Sequence, residues 1–221
     1  MPDPLALGVL LSGSGTNLQA LIDAIAAGRL HARIAVVISN VPGAPGLERA
    51  RAHGLTAVVV GHSEAPSREA YDTRLVEVLR AHGVALVVLA GFMRLVSPVL
   101  LNAYPARVLN IHPALLPAFP GLHAERQALE HGARLTGVTV HFVDEETDHG
   151  PILAQAAVPI LADDSEATLH ARIQAQEHRL YPFAIQLIAE GRVRVEGRRV
   201  VIADWTPSAD GVLASPEPPS A

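Results

Sequence analysis

Residues 84–90 read VALVVLA, an unbroken apolar run. A strand with one face in water alternates apolar and polar side chains. An unbroken run predicts a strand covered on both faces, as in a parallel sheet flanked by helices. The run at 5–11 reads the same way, and further strands are expected at 34–39 and 56–60. Helical spacing lies between them. Leu18, Leu21, Ile22 and Ile25 share a face over 17–27, a short helix fits 46–53, and Tyr71, Leu75, Val78 and Leu79 align over 68–82. This alternation predicts an α/β fold with a doubly wound, mostly parallel sheet, Rossmann-like in its N-terminal half.

Ser97-Pro98 is a cap and first-turn pair for another helix. A strand at 107–111 and a helix at 124–131 follow. The alternating segment 136–143 and a strand candidate at 152–158 read as a hairpin that adds antiparallel strands at the sheet edge, giving a mixed C-terminal half. Ser165 is the expected N-cap of a long helix reaching 190. The stretch from Thr206 is rich in Pro, Ser and Ala and reads as a flexible tail. With 221 residues, 49% of them hydrophobic, the chain can bury a core, and a single domain over about 1–205 is expected.

Composition removes several chemistries. There is no cysteine, which excludes disulfides, thiolate metal sites and a Cys nucleophile and fits a cytoplasmic protein. There is no lysine either, so Schiff-base and pyridoxal-phosphate chemistry and a Walker A loop are impossible. The formal charge of -5 gives no basic footprint for nucleic acid. No run reaches membrane-spanning length, and MPDPLALGVLL lacks the marks of a signal peptide.

Ligands of such sheets sit at the carboxyl ends of the strands. Four polar clusters fall at those ends: 12–17, 91–94, 110–112 and 144–150. In LLSGSGTNLQALI, Gly13 and Gly15 stand between strand and helix, where backbone N–H groups can cradle a phosphate. Leu18 occupies the place of a third glycine, so an ordinary tight turn is the competing reading. In LAGFMRLVSP, Phe92 and Met93 read equally as core and Arg94 as a solvated cation. Asn110 and His112 share a strand face. Alone, they fit a turn amide and a hydrogen-bonded imidazole, and Asn is a poor transition-metal ligand. The acidic run in VDEETDHGPI suits a solvated hairpin tip, yet Gly150-Pro151 leads into a strand and can tuck Asp148 against the sheet end. A carboxylate orienting an imidazole beside an amide donor is equipped for proton transfer and oxyanion stabilisation. Ser14 lacks the glycine two residues earlier that a nucleophile elbow needs.

SGSGTNLQ, SREAYD, LAGFMRLVS, LNIHPALLPAFPGLHAERQAL, GVTVHFVDEETDHGPILAQ and QEHRLYP, in this order, resemble the phosphoribosylglycinamide formyltransferases of the folate-dependent formyltransferase family, over about residues 5–202. The resemblance implies transfer of a formyl group from 10-formyltetrahydrofolate, the co-substrate, to the amine of glycinamide ribonucleotide in purine biosynthesis, with no metal. It implies a nucleotide-phosphate half at about 1–105 and a catalytic and folate half at about 106–205. Gly15, Thr16 and Asn17 would hold the phosphate, and Glu177 the glycinamide end. Arg68, Met93, Arg94, Leu95, Val96 and Asn110 would line the folate cleft. Asn110, His112 and Asp148 would be the catalytic trio, and the Leu116–Pro117 bond would be cis. Small molecules are the expected partners, without nucleic acid or membrane, for a monomer or homodimer.

The chain departs from the family pattern at Ala114 and Ala118, where relatives often carry Ser and a polar or basic residue, and at His149, where Gly or Thr is common. Rival readings are the related formyltetrahydrofolate deformylase, methionyl-tRNA formyltransferase and a non-catalytic binding module. The first two are expected to carry an extra N-terminal or C-terminal module for which the chain has no room.

Overall fold

A computed structural model describes residues 3–63 and 65–206. The expected tail, apart from Thr206, lies outside them. The elements run β1 (Leu5–Leu11), α1 (Thr16–Ala26), β2 (Ala32–Ser39), α2 (Pro45–Ala52), β3 (Ala57–Val59), α3 (Arg68–Ala81), β4 (Leu86–Leu89), α4 (Pro98–Ala103), β5 (Val108–His112), α5 (Ala124–Glu130), β6 (Leu135–Phe142), β7 (Ile152–Pro159), α6 (Glu166–Ala189), β8 (Val193–Glu196) and β9 (Arg199–Ile202).

Seven strands form one sheet in the order β3-β2-β1-β4-β5-β6-β7. The first five are parallel, β6 runs antiparallel to β5, and β7 antiparallel to β6. The expected α/β architecture is therefore present, with its mixed edge. The unbroken apolar run explains the middle: every residue of β4 is buried. Alternate strand residues feed two cores. Leu7, Val9, Leu11, Val88 and Leu109 pack with Leu18, Leu47, Ile173 and Ile185 on one face. Leu10, Val36, Val87 and Leu89 pack with Tyr71, Leu75, Leu79 and Leu100 on the other. Gly8 lets α3 press close to β1, because a Cβ there would lie 2.4 Å from the Leu79 side chain.

Three details differ from expectation. The alternation in β6 does not leave a wet face: Thr136, Thr139 and His141 are buried. Thr139 instead donates to the Ala114 carbonyl at 2.7 Å and accepts from the Leu116 N–H at 3.0 Å. Ser97 precedes α4 as expected but makes no side-chain cap bond; its N–H goes to the buried Asp72 carboxylate. A second, two-stranded sheet of β8 and β9 was not anticipated. Ser165 caps α6 as expected, accepting from Thr168 N at 3.2 Å.

The long helix is fastened to the sheet directly beneath the strand ends. The Tyr181 hydroxyl, fully buried, faces the carbonyls of Leu89 at 2.9 Å and Leu109 at 3.0 Å and donates between them. Burial pushes its phenol well above the usual range, so it stays protonated. Tyr181→Phe leaves both carbonyls without this donor, and the expected loss is about 1 kcal/mol. Urea unfolding checks it: the midpoint should fall with the slope unchanged.

Candidate active site

The carboxyl ends of β4 and β5 open into a cavity of about 1010 Å³. Its walls come from residues 91–96, 110–113, 121–125, 143–148 and the start of α6. Three of the four polar clusters meet there. Met93 and Leu95 are well exposed at the rim, an apolar ledge beside Arg94. The Arg94 guanidinium lies 4.9 Å from the centre of the Tyr71 ring, a cation–π geometry that fixes its direction.

Asn110 and His112 sit at the end of β5, where the sheet stops and the loop 113–123 begins. That loop is held in an unusual shape. The Leu116–Pro117 peptide is cis, as expected, and Phe119, Gly121 and His123 take positive φ of 54°, 81° and 59°. The turns aim the Phe119 carbonyl at His112 Nε2, 2.9 Å away, and the Gly121 N–H at Asp148 Oδ2, 2.8 Å away. His112 Nδ1 lies 3.4 Å from the same Oδ2. Both ring nitrogens thus face oxygens, and only an imidazolium can donate to both.

Asp148 itself takes φ of 51°, in the left-handed region that Asp tolerates better than most residues. Gly150 makes this turn possible, because a Cβ there would come within 1.8 Å of the Phe142 carbonyl oxygen. Burial pushes the Asp148 carboxyl up, but the His141 and Gly121 hydrogen bonds and the His112 and His141 charges outweigh it. The net effect holds Asp148 below the usual carboxylate range.

His141 is the residue that sequence reasoning missed. It lies opposite Asn110 in the β5–β6 register, which no linear motif reveals. Its Nδ1 is 3.0 Å from the Phe142 carbonyl, so that nitrogen carries the proton. Its Nε2 is 3.1 Å from Asn110 Nδ2 and 3.7 Å from Asp148 Oδ1. A neutral ring accepts from the Asn110 amide; a protonated ring donates to Asp148. Asn110 keeps a second N–H either way.

His149 turns away from the trio. Its Nδ1 lies 2.9 Å from Asp144 Oδ2, and Arg198, from the β8–β9 turn, donates to its carbonyl at 2.8 Å. Ala114 is fully buried, so the departure there adds an apolar contact and removes no polar group from the cavity.

The glycine loop stands apart from this cavity. Gly15 takes φ of 72° and a Cβ there would lie 2.8 Å from the Gly46 backbone, so glycine is required. The first turn of α1 has no side-chain cap and no acidic residue, which leaves its N–H groups and positive dipole end open to an anion. Arg49 reaches the loop, its Nε 3.4 Å from the Ser14 carbonyl, a cation not singled out in the sequence. Glu177, expected at the glycinamide end, lies beside this loop: Asn17 Nδ2 donates to it at 3.0 Å. Burial pushes the Glu177 carboxyl up, against the Asn17 bond and the His170 charge. Arg68, expected in the folate cleft, stands exposed at the start of α3, 3.9 Å from Glu69, and is not among the cavity-lining residues. Among the described residues no group of three or more His, Cys, Asp or Glu is placed to hold a metal ion, and no helix is long and apolar enough to cross a membrane.

The lowered Asp148 carboxyl has a consequence for stability. A depressed carboxylate stabilises the fold above its unfolded value and loses that contribution as pH falls through the folded one. Wild type should therefore exceed Asp148→Asn in stability at neutral pH, and the gap should close progressively below about pH 4. Thermal melts of both proteins between neutral and acid pH measure it.

Comparison with known proteins identifies the family. The formyl transferase family model matches residues 6–185. The chain is 48% identical over 187 residues to phosphoribosylglycinamide formyltransferase of Escherichia coli (strain K12), covering 85% of this chain and 88% of that protein. The crystal structure of glycinamide ribonucleotide transformylase 1 from Symbiobacterium toebii superimposes with a TM-score of 0.91 at 56% identity, over 92% of this chain and 96% of that one. A formyltetrahydrofolate deformylase from Pseudomonas syringae pv. tomato str. DC3000 shares the fold at 27% identity and a TM-score of 0.84, over 92% of this chain and 67% of that one. The chain belongs to the formyl transferase family.

Proposed function

We propose that the chain transfers the formyl group of 10-formyltetrahydrofolate to the amine of glycinamide ribonucleotide, a step of purine biosynthesis, acting in the cytoplasm on small molecules. The observation that carries this reading is the meeting of Asn110, His112 and Asp148 at one end of a cavity whose α6 wall leads to an open anion site at Gly15, Thr16 and Asn17. The nucleotide-binding part of the proposed division, about 1–105, supplies the loop. The part beyond supplies the trio, and one sheet joins them through the β4–β5 pair.

In this reading the folate ring system lies against Met93, Leu95 and Val96, with Arg94 facing its anionic end. The nucleotide amine attacks the formyl carbon, a new C–N bond forms, and the carbonyl oxygen gains negative charge. The free Asn110 N–H donates to that oxygen. His112 joins by exchanging a neutral acceptor, the Phe119 carbonyl, for a charged one, since charge-assisted bonds are stronger. Asp148 keeps the imidazole oriented and stands opposite the positive charge it carries when protonated. Collapse of the tetrahedral intermediate breaks the bond to N10, which takes a proton relayed through water from the attacking nitrogen. Direct attack by an amine calls for no metal ion.

The loss of one oxyanion donor costs about 3 kcal/mol, roughly two orders of magnitude in rate. Asn110→Ala and His112→Ala should each lower kcat by about that much while nucleotide affinity, measured by calorimetry, changes little. His112→Ala with near-full turnover would refute the assignment. Because His149 engages Asp144 and Arg198 rather than Asp148, His149→Gly should leave the pH–rate profile unchanged. The reaction itself is tested by following loss of the formyl group spectrophotometrically. Consumption that requires the nucleotide supports the transferase. Equal consumption without it identifies a deformylase, and none at all, with both ligands bound, a binding module.

A further inference from the structure

One pair of cavity groups has no part in the chemistry above. Glu125, on α5, is a carboxylate with only 9% of its side chain exposed, and its Oε1 lies 2.7 Å from His170 Nδ1 on α6. Both line the cavity. A carboxylate at this distance fixes the imidazole as the Nδ1–H tautomer and leaves the Nε2 lone pair as a base. That nitrogen has only a long contact, 3.4 Å to Gln174 Nε2, and half of the His170 side chain is exposed. His112, by contrast, has both ring nitrogens occupied.

The position of His170 is set by the periodicity of α6. Glu166, His170, Gln174 and Glu177 follow one another at helical spacing on one face. Glu177 and Gln174 reach the glycine loop, through Asn17 at 3.0 Å and Thr16 at 3.3 Å. Glu166 and His170 reach the cavity. From Glu177 to His170 is two turns, about 10 Å along the axis. A nucleotide with its phosphate at the loop and its amine near the trio must pass His170 on the way.

We infer that His170, oriented by Glu125, is the base that removes a proton from the entering ammonium of the amine substrate before it attacks. This rests on the transferase reading and deepens it. A glycyl amine titrates near 8, so roughly nine tenths of it enters as ammonium at pH 7 and has no lone pair to attack with. The N–H bond of the ammonium breaks, its electron pair stays on nitrogen as the nucleophile, and the proton binds His170 Nε2. Glu125 compensates the imidazolium, which keeps the proton through the attack; only afterwards does the exposed edge of the ring return it to water. The surroundings suit a cation. Glu125 approaches from α5, Glu166 and Glu177 flank His170 on α6, and His123 and Arg126 are drawn to Glu166 at 3.8 Å and 3.5 Å. Across the cavity stand Asp144, Glu145, Glu146 and Asp148, with Arg94 at the far rim.

The test is kcat/KM for glycinamide ribonucleotide between pH 6.5 and 9.5 in wild type, His170→Gln and Glu125→Gln. Without the base only the free amine reacts, so His170→Gln should lose about tenfold at pH 7 and less than twofold above pH 9. Glu125→Gln should follow the same curve with a smaller loss. Added imidazole should restore part of the activity of His170→Ala at pH 7 and none at pH 9. A loss equal at every pH, or no loss, overturns the base while leaving the transferase intact. Wild type that consumes the folate without the nucleotide overturns the transferase reading, and the base with it.

Discussion

The whole site depends on one carboxylate held between two loops. Asp148 accepts the Gly121 N–H at 2.8 Å and faces His112 and His141 at 3.4 Å and 3.7 Å. It ties the segment 144–150 to the loop 113–123 and to the end of β5. The carboxylate compensates the charge that either imidazole takes up and aligns the His112 ring. The buried surroundings make the interaction stronger than it would be in water and make an unpaired partner costly. Backbone in the left-handed region at Phe119, His123 and Asp148 is the local strain that this arrangement sustains, of order 1 kcal/mol or more at each position.

The second organising feature is α6. Its capping box sets where the helix begins, Tyr181 binds it to the ends of β4 and β5, and one face of it then spans from the glycine loop to the cavity. The two proposed ligand sites, which the sheet topology alone would leave independent, are thereby set at a fixed separation. A nucleotide long enough to span them is measured against a rigid ruler, which is the geometric basis of effective proximity.

Much of the fold was legible because it is written in apolar runs: the unbroken strand at 84–90, the strand at 5–11 and the helical stripe of α3 stand where they were expected. The Asn110–His112 pair and Asp148 were legible as types of group at strand ends, and the family resemblance gave them roles. What remained hidden depends on register and tertiary approach. The alternation at 136–143 gave His141 and Thr139 no role, because their partners, Asn110 and the Ala114 carbonyl, lie far back in the chain. Glu125 and His170 meet only when α5 packs on α6. The β8–β9 hairpin alternates valine with charged residues over four-residue strands, too short a signal to separate from a loop. Arg68 carried a folate role by resemblance alone; it stands exposed at the start of α3, outside the cavity lining.

In the proposed reaction the carboxyl end of the sheet holds a phosphate and a formyl group a fixed distance apart, with the amine between them. A crystal structure with glycinamide ribonucleotide and an unreactive analogue of 10-formyltetrahydrofolate tests it most directly. The account predicts the phosphate on the N–H groups of Gly15, Thr16 and Asn17, the formyl oxygen within hydrogen-bond distance of Asn110 Nδ2 and His112, and the amine between His170 and the formyl carbon. A phosphate bound elsewhere, or a formyl oxygen out of reach of both Asn110 and His112, would contradict it.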